Sequence, residues 1–215
     1  MGLSRALLHP AAKPLAFALG LLPAVWLVGQ AAGDQLGANP QEALIRATGD
    51  WALRFMCLVL AVTPLRMMAR LPAVARFRRM LGLFAFFYAV LHLLAYAVFD
   101  MGLELPEILR DIAKRPFILV GTLTLLLILP LALTSFNRAI RWLGAARWQK
   151  LHRLVYLAAL TMLLHFFWMR AGKSDFAEVA VYATIVALLL GWRLWQRLQP
   201  SSALQDSSAP RDLRG

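Results

Sequence analysis

Uncharged apolar runs close to the roughly 20 residues that a bilayer crossing needs stand at 14–33, 80–99 and 116–137. Three shorter runs reach that length only by taking in polar residues. The run at 55–65 borrows the preceding turns and Arg54, the run at 154–169 extends back through His152, and the run at 179–192 is bounded by Glu178 and Arg193. The pattern predicts an all-α integral membrane protein, a six-transmembrane-helix bundle with spans at about 14–33, 46–65, 80–99, 116–136, 150–169 and 177–196. These form one transmembrane domain over 14–198. A short segment, 1–13, precedes it, and a polar, Ser- and Pro-rich tail, 199–215, is expected to be disordered.

Charge orients the spans. Arg5 and Lys13 precede span one; Arg66, Arg70, Arg76, Arg78 and Arg79 lie between spans two and three; Arg138, Arg141, Arg147, Lys150 and Arg153 lie between four and five. The alternate loops carry Asp34, Glu42 and Asp50, then Asp100, Glu104, Glu107 and Asp111, then Arg170 and Lys173 against Asp175 and Glu178. Lys and Arg concentrate on the cytoplasmic side of membrane proteins, so both termini are expected in the cytoplasm of a bacterial inner membrane. All seven tryptophans fall near the ends of the expected spans, as an interfacial belt would place them. The net charge of +12 on a chain that is 60% hydrophobic follows from the same loops and calls for contact with membrane lipid; no nucleic acid is expected as a partner. Span one, with its basic start and "QAAG" at 30–33, resembles a cleavable signal peptide, but its loss would not change the orientation of the others. The lone Cys57 excludes an internal disulfide and a cysteine-ligated cluster and reads as a small buried residue. Phosphate-loop, dinucleotide-fingerprint and HExxH patterns are absent from the sequence.

Chemistry therefore falls to the four histidines. His9 is expected at the solvated surface. The other three lie on spans three and five, where an ionisable side chain is costly and by default a site candidate. Counted at about 1.5 Å per residue from the basic ends of the two spans, His92 lies roughly 18 Å and His165 roughly 22 Å deep, whereas His152 lies only about 3 Å in. His92 and His165 are thus expected level with each other, on different helices. Two such imidazoles can clamp a heme iron between them and fill both axial positions, which favours electron transfer over chemistry at the iron. Zinc usually takes four ligands, and no third donor lies at that depth. Phe84, Phe86, Phe87, Tyr88, Leu91, Leu94, Phe166 and Phe167 offer flat apolar surface to a porphyrin, or simply pack helices.

The stretches "RRMLGLFAFFYAVLHLLAY" at 78–96, "LTLLLILPLALTS" at 123–135 and "RWQKLHRLVYLAALTMLLHFFW" at 147–168 resemble the MsrQ (YedZ) family. These are heme-binding membrane subunits of the periplasmic protein-methionine-sulfoxide reductase system, within the ferric-reductase-like transmembrane superfamily. Larger members of the superfamily carry two hemes between spans three and five, with a histidine pair 13 apart on span five, matched here by His152 and His165, and a pair 14 apart on span three. Here His92 has Arg78 at the second position. The resemblance implies heme b and FMN as cofactors and a non-catalytic electron-transfer role. Electrons would come from the quinone pool or a cytoplasmic flavin reductase and pass to the periplasmic molybdoenzyme MsrP, which repairs methionine sulfoxide in oxidised proteins. A stand-alone ferric or other reductase is an alternative, although about 20 residues after span six cannot build a flavin and nicotinamide domain. A transporter or scaffold without redox chemistry is another.

The 13-residue spacing turns an ideal helix through about 1300°, so His152 and His165 share a face only if the span bends. Separate roles are expected. His92 and His165 are the expected axial ligands of the iron. His152 is a further candidate ligand among Arg78, Arg79, Lys150 and Arg153, a basic cluster suited to a flavin phosphate, a quinone headgroup or the propionates of a second heme.

Overall fold

The computed structural model describes residues 2–171 and 176–199. Lys173, Asp175 and the tail from 200 onward, expected to be disordered, lie outside the described residues. The helices are α1 (Leu3–Leu8), α2 (Ala12–Ala32), α3 (Pro40–Met68), α4 (Arg78–Ala95), α5 (Leu105–Lys114), α6 (Pro116–Leu133), α7 (Asn137–Leu143), α8 (Ala145–His152), α9 (Leu154–Ala171) and α10 (Ala177–Leu198). A 3-10 turn, Pro72–Phe77, leads into α4, and a π-helical turn, Tyr96–Asp100, ends it. Six stretches are long and apolar enough to cross a membrane: Ala12–Ala32, Pro40–Met68, Pro72–Asp100, Pro116–Leu133, Ala145–Ala171 and Ala177–Leu198. The protein is all-helical, with the six spans that the apolar pattern predicts.

At three of the boundaries that differ from the sequence reading, the reason is local. The second span begins at Pro40 instead of about 46, because Asn39 caps it. The Asn39 side-chain oxygen accepts from the Glu42 N–H at 3.2 Å, its amide donates to Glu42 at 3.1 Å, and Glu42 pairs one turn on with Arg46 at 2.6 Å. The fourth span stops at Leu133, where Thr134 and Ser135 turn their hydroxyls back onto the carbonyls of Pro130 and Leu131. The fifth starts at Ala145, after a left-handed Gly144 with φ of 75° that a side chain would strain, and it breaks at Arg153 between α8 and α9.

In lipid the outward-facing residues can stay apolar, so close packing and interhelical hydrogen bonds must hold the bundle together. Leu126, Leu188 and Val28 accordingly face outward. The interior is built of small residues where helices approach: Ala52 on α3, Ala85 on α4, and Ala158 and Ala159 on α9 are all buried. Thr124 on α6 donates to Thr161 on α9 at 2.8 Å, a contact of a kind worth roughly 0.6 kcal/mol in a membrane bundle. α3 packs along α4, α6 along α9, and α10 lies against α3 and α9. Pro64 cannot donate to the Leu60 carbonyl, and buried Arg193 of α10 does so instead at 2.6 Å.

α2 is the outermost span. It touches the bundle at Gly20, where a Cβ would stand 2.3 Å from the Phe84 ring. Next to it the Tyr88 hydroxyl donates to the Gly20 carbonyl at 2.8 Å and accepts from the Ala24 N–H at 3.1 Å. Phe84 and Tyr88 are therefore packing residues, stacked on Phe55 at 5.1 and 5.3 Å. Trp51, expected near a span end, stands inside lengthened α3 under the Arg54 guanidinium, 4.7 Å from the ring centroid.

The antiparallel helices gather the basic loops at one end of the bundle. Arg76 there donates to the Leu7 carbonyl at 2.9 Å and Arg79 to the Asn137 side chain at 2.9 Å. These contacts tie the N-terminal segment, the loop before α4 and the start of α7 into one basic face.

Candidate functional site

Two cavities lie among spans two to six, one toward each end of the bundle. The larger, about 600 Å³, lies away from the basic face and is lined by both His92 and His165. Such a volume falls within the range usual for ligand sites. α5 contributes its apolar side, with Leu105, Ile108, Leu109 and Ile112 all lining this cavity.

The two imidazoles face each other across it, with ring centroids 6.0 Å apart and planes at 76°. Two imidazole nitrogens each about 2 Å from a shared metal centre would bring their rings to roughly this separation. Both rings are also held in one tautomer. His92 Nδ1 lies 2.8 Å from the Ile45 carbonyl and His165 Nδ1 2.7 Å from the Phe117 carbonyl. A carbonyl can only accept, so each Nδ1 carries the proton and each Nε2 keeps its lone pair for a metal. Four residues beyond each carbonyl stands a glycine. A Cβ at Gly49 would meet His92 Nδ1 at 3.0 Å, and one at Gly121 would meet His165 Cε1 at 2.8 Å. The same device thus occurs twice, with a carbonyl that fixes the tautomer and a glycine one turn on that makes room for the ring. The tautomers, the ring spacing and the glycine recesses all fit a bis-imidazole heme.

The second cavity, about 430 Å³, opens at the basic face and is lined by His152, Arg78, Arg79, Arg153 and Arg197. His152 stacks on Trp148, with centroids 3.8 Å apart, and its Nδ1 donates to the Trp148 carbonyl at 3.1 Å. Its Nε2 is buried and has no hydrogen-bond partner among the described residues. The break at Arg153 allows both span-five histidines to reach the bundle interior, although an unbroken helix would turn them apart. Arg78 and His92, 14 residues apart on α4, share a face and line one cavity each.

The structure brings His92 and His165 together and gathers His152 with Arg78, Arg79 and Arg153. Lys150 is exposed on α8 and lies outside this lining. Of the aromatic and leucine residues expected to flank a porphyrin, Phe166 lines the larger cavity, whereas Phe84, Phe86, Phe87, Tyr88, Leu91, Leu94 and Phe167 do not. Residues that the sequence reading missed are Gly49, Gly121, Arg46 and Arg115 at the larger cavity and Arg197 at the smaller. The two glycines carried a signal, since each interrupts a helical run at a cost of about 1 kcal/mol relative to alanine.

Residues 48–163 match the family described as ferric reductase like transmembrane component. Curated relatives bear the name protein-methionine-sulfoxide reductase heme-binding subunit MsrQ. That of Polaromonas naphthalenivorans is 69% identical over 90% of this chain and 89% of its own length. Those of Ralstonia nicotianae and Xanthomonas euvesicatoria pv. vesicatoria are 50% and 45% identical, over 82% and 93% of both chains respectively. No solved structure matches. With the six spans, the facing histidines and these relatives together, the chain belongs to the MsrQ family, within the ferric reductase like transmembrane proteins.

Proposed function

We propose that this chain is the heme b electron-transfer subunit of a methionine sulfoxide reductase system, non-catalytic in itself. It would draw electrons from the quinone pool or a cytoplasmic flavin reductase and deliver them to a periplasmic molybdoenzyme of the MsrP type. The observation that carries this reading is the His92–His165 pair, 6.0 Å apart with both Nδ1 atoms committed to carbonyls. A heme iron held by His92 and His165 would supply reversible one-electron transfer. The protein's own part is to hold Nε2 of both rings in place, fix the tautomer of each through the carbonyls of Ile45 and Phe117, and exclude water with the apolar walls. His152, Arg78, Arg79 and Arg153 form the donor side, where the anionic groups of FMN, a quinone headgroup or a second heme would find cations and a buried imidazole nitrogen.

The purified protein is expected to show a Soret band that shifts on reduction with dithionite. The reduced form should be reoxidised by MsrP in the presence of methionine sulfoxide. A preparation without heme, or a reduced heme that MsrP and its substrate leave unchanged, overturns the reading.

Membrane orientation follows from the basic face, which belongs in the cytoplasm of the inner membrane with both termini. A topology reporter fused after Gly215 is expected to report cytoplasm, and one inserted in the 100–115 loop to report periplasm. The reverse pattern would put the histidine pair near the wrong surface for periplasmic delivery.

A further inference from the structure

The end of the larger cavity away from the basic face is polar. Arg46, Arg115 and Arg170 line it, together with Glu42, Asp50 and Asp100. Arg115 bonds Asp111 through Nε at 2.7 Å, and Arg170 pairs with Glu178. Arg46 differs. Its Nη2 meets Glu42 at 2.6 Å, yet its Nε is buried and has no hydrogen-bond partner among the described residues. An unmade hydrogen bond on a buried charged group is costly. Arg46 forms part of the cavity wall, so an acceptor entering the cavity stands beside this side chain.

The register of α3 makes Arg46 specific to the histidine pair. It follows Ile45, whose carbonyl holds His92, and precedes by three residues Gly49, which makes room for the same ring. Glu42, Arg46, Gly49 and Asp50 fall on one helical face. A group ligated by His92 and His165 therefore has its edge beside this face. Heme b carries two propionates, anionic at neutral pH. Without a cation, a propionate there would confront the carboxylates of Glu42 and Asp50 in a poorly solvated space.

We propose that Arg46 binds a propionate of the heme at this end of the cavity, sharing its guanidinium between that carboxylate and Glu42. This assignment rests on the heme reading above. Its chemistry is a charge-assisted hydrogen bond from a planar, permanently charged donor. Arg46 is thereby a positioning residue for the cofactor, coupled through Ile45 to the axial ligand.

Two variants of the heme-loaded, full-length protein separate this role from a merely structural ion pair. Arg46→Gln removes the cation and leaves the carboxylates facing the propionate. Heme transfer to excess apomyoglobin is then expected to be about tenfold faster, and the heme midpoint potential to fall, because a nearby positive charge favours the reduced iron. Glu42→Gln breaks the same ion pair but leaves the guanidinium to the propionate, so heme loss should not accelerate and the potential should rise. Arg46→Lys keeps the charge without the fork and should fall between wild type and Arg46→Gln; it also provides the measurement if Arg46→Gln does not accumulate. Equal shifts in the same direction for Arg46→Gln and Glu42→Gln, or no shift in Arg46→Gln and Arg46→Lys, overturn the proposal. A wild-type protein without heme overturns the heme reading instead.

Discussion

His92→Ala and His165→Ala are each expected to abolish the main heme absorbance of the purified protein, whereas His152→Ala keeps much of it and slows reduction from the basic side. On the proposed reading each residue of the facing pair would supply one ligand to the iron, and the ring facing it across 6.0 Å could not take both places. Substituting either one also leaves the carbonyl of Ile45 or Phe117 without the imidazole donor it now has. No neighbouring histidine can take over, since His152 lines the other cavity and stacks on Trp148. The effect on that spectrum should therefore be close to all-or-none. His152 stands with four arginines where, on the proposed reading, an electron donor would reach the bundle, so its loss should appear in the rate of reduction and not in the principal ligation. Reduction by a quinol or by a flavin reductase, followed by stopped-flow absorption, measures that rate. Loss of all heme in His152→Ala, with normal heme in His92→Ala, would reverse the assignment.

Much of this architecture was legible in the order of apolar and charged residues. Uncharged runs located the spans, and counting depth from the basic loops put His92 and His165 level, as the facing rings now are. What the sequence did not disclose arises from contacts between helices. Arg46 stood only at the expected start of the second span, because a hydropathy pattern does not register that Asn39 caps the helix seven residues earlier and that Glu42 pairs with Arg46. The break at Arg153 was equally hidden. The rotation argument correctly said that a straight helix would turn His152 and His165 apart, but the site of the bend depends on α8 docking through the Trp148 indole, which donates to the Thr134 carbonyl at 2.9 Å. Phe84 and Tyr88 looked like porphyrin neighbours by composition alone. They pack on Phe55 and against α2 at Gly20, whose missing side chain lets the Phe84 ring lie against its backbone.

Gly121→Ala is expected to weaken heme binding and convert part of the heme from low to high spin, although helix propensity alone argues for a more stable protein. Replacing a mid-helix glycine by alanine ordinarily gains about 1 kcal/mol. At this position the new methyl would stand 2.8 Å from Cε1, 2.9 Å from Nδ1 and 3.3 Å from Nε2 of His165, over the ring itself and against no flexible chain end. The imidazole must tilt or withdraw, and either movement strains the 2.7 Å bond to the Phe117 carbonyl that sets its tautomer. A ligand displaced in this way binds the iron less well, and misplaced ligand supports commonly cost 10–100-fold in metal affinity. Gly49→Ala should act in the same direction but less, since its methyl would first meet His92 at 3.0 Å. Gly29, in a span but with nothing within 4 Å of its would-be Cβ, is the control, and Gly29→Ala should keep the wild-type spectrum. Absorption and EPR spectra of the three variants give the order Gly121→Ala, Gly49→Ala, Gly29→Ala from most to least disturbed. A Gly121→Ala spectrum identical to that of Gly29→Ala would mean that the His165 ring does not lie against this glycine, and the paired carbonyl-and-glycine device would fail with it.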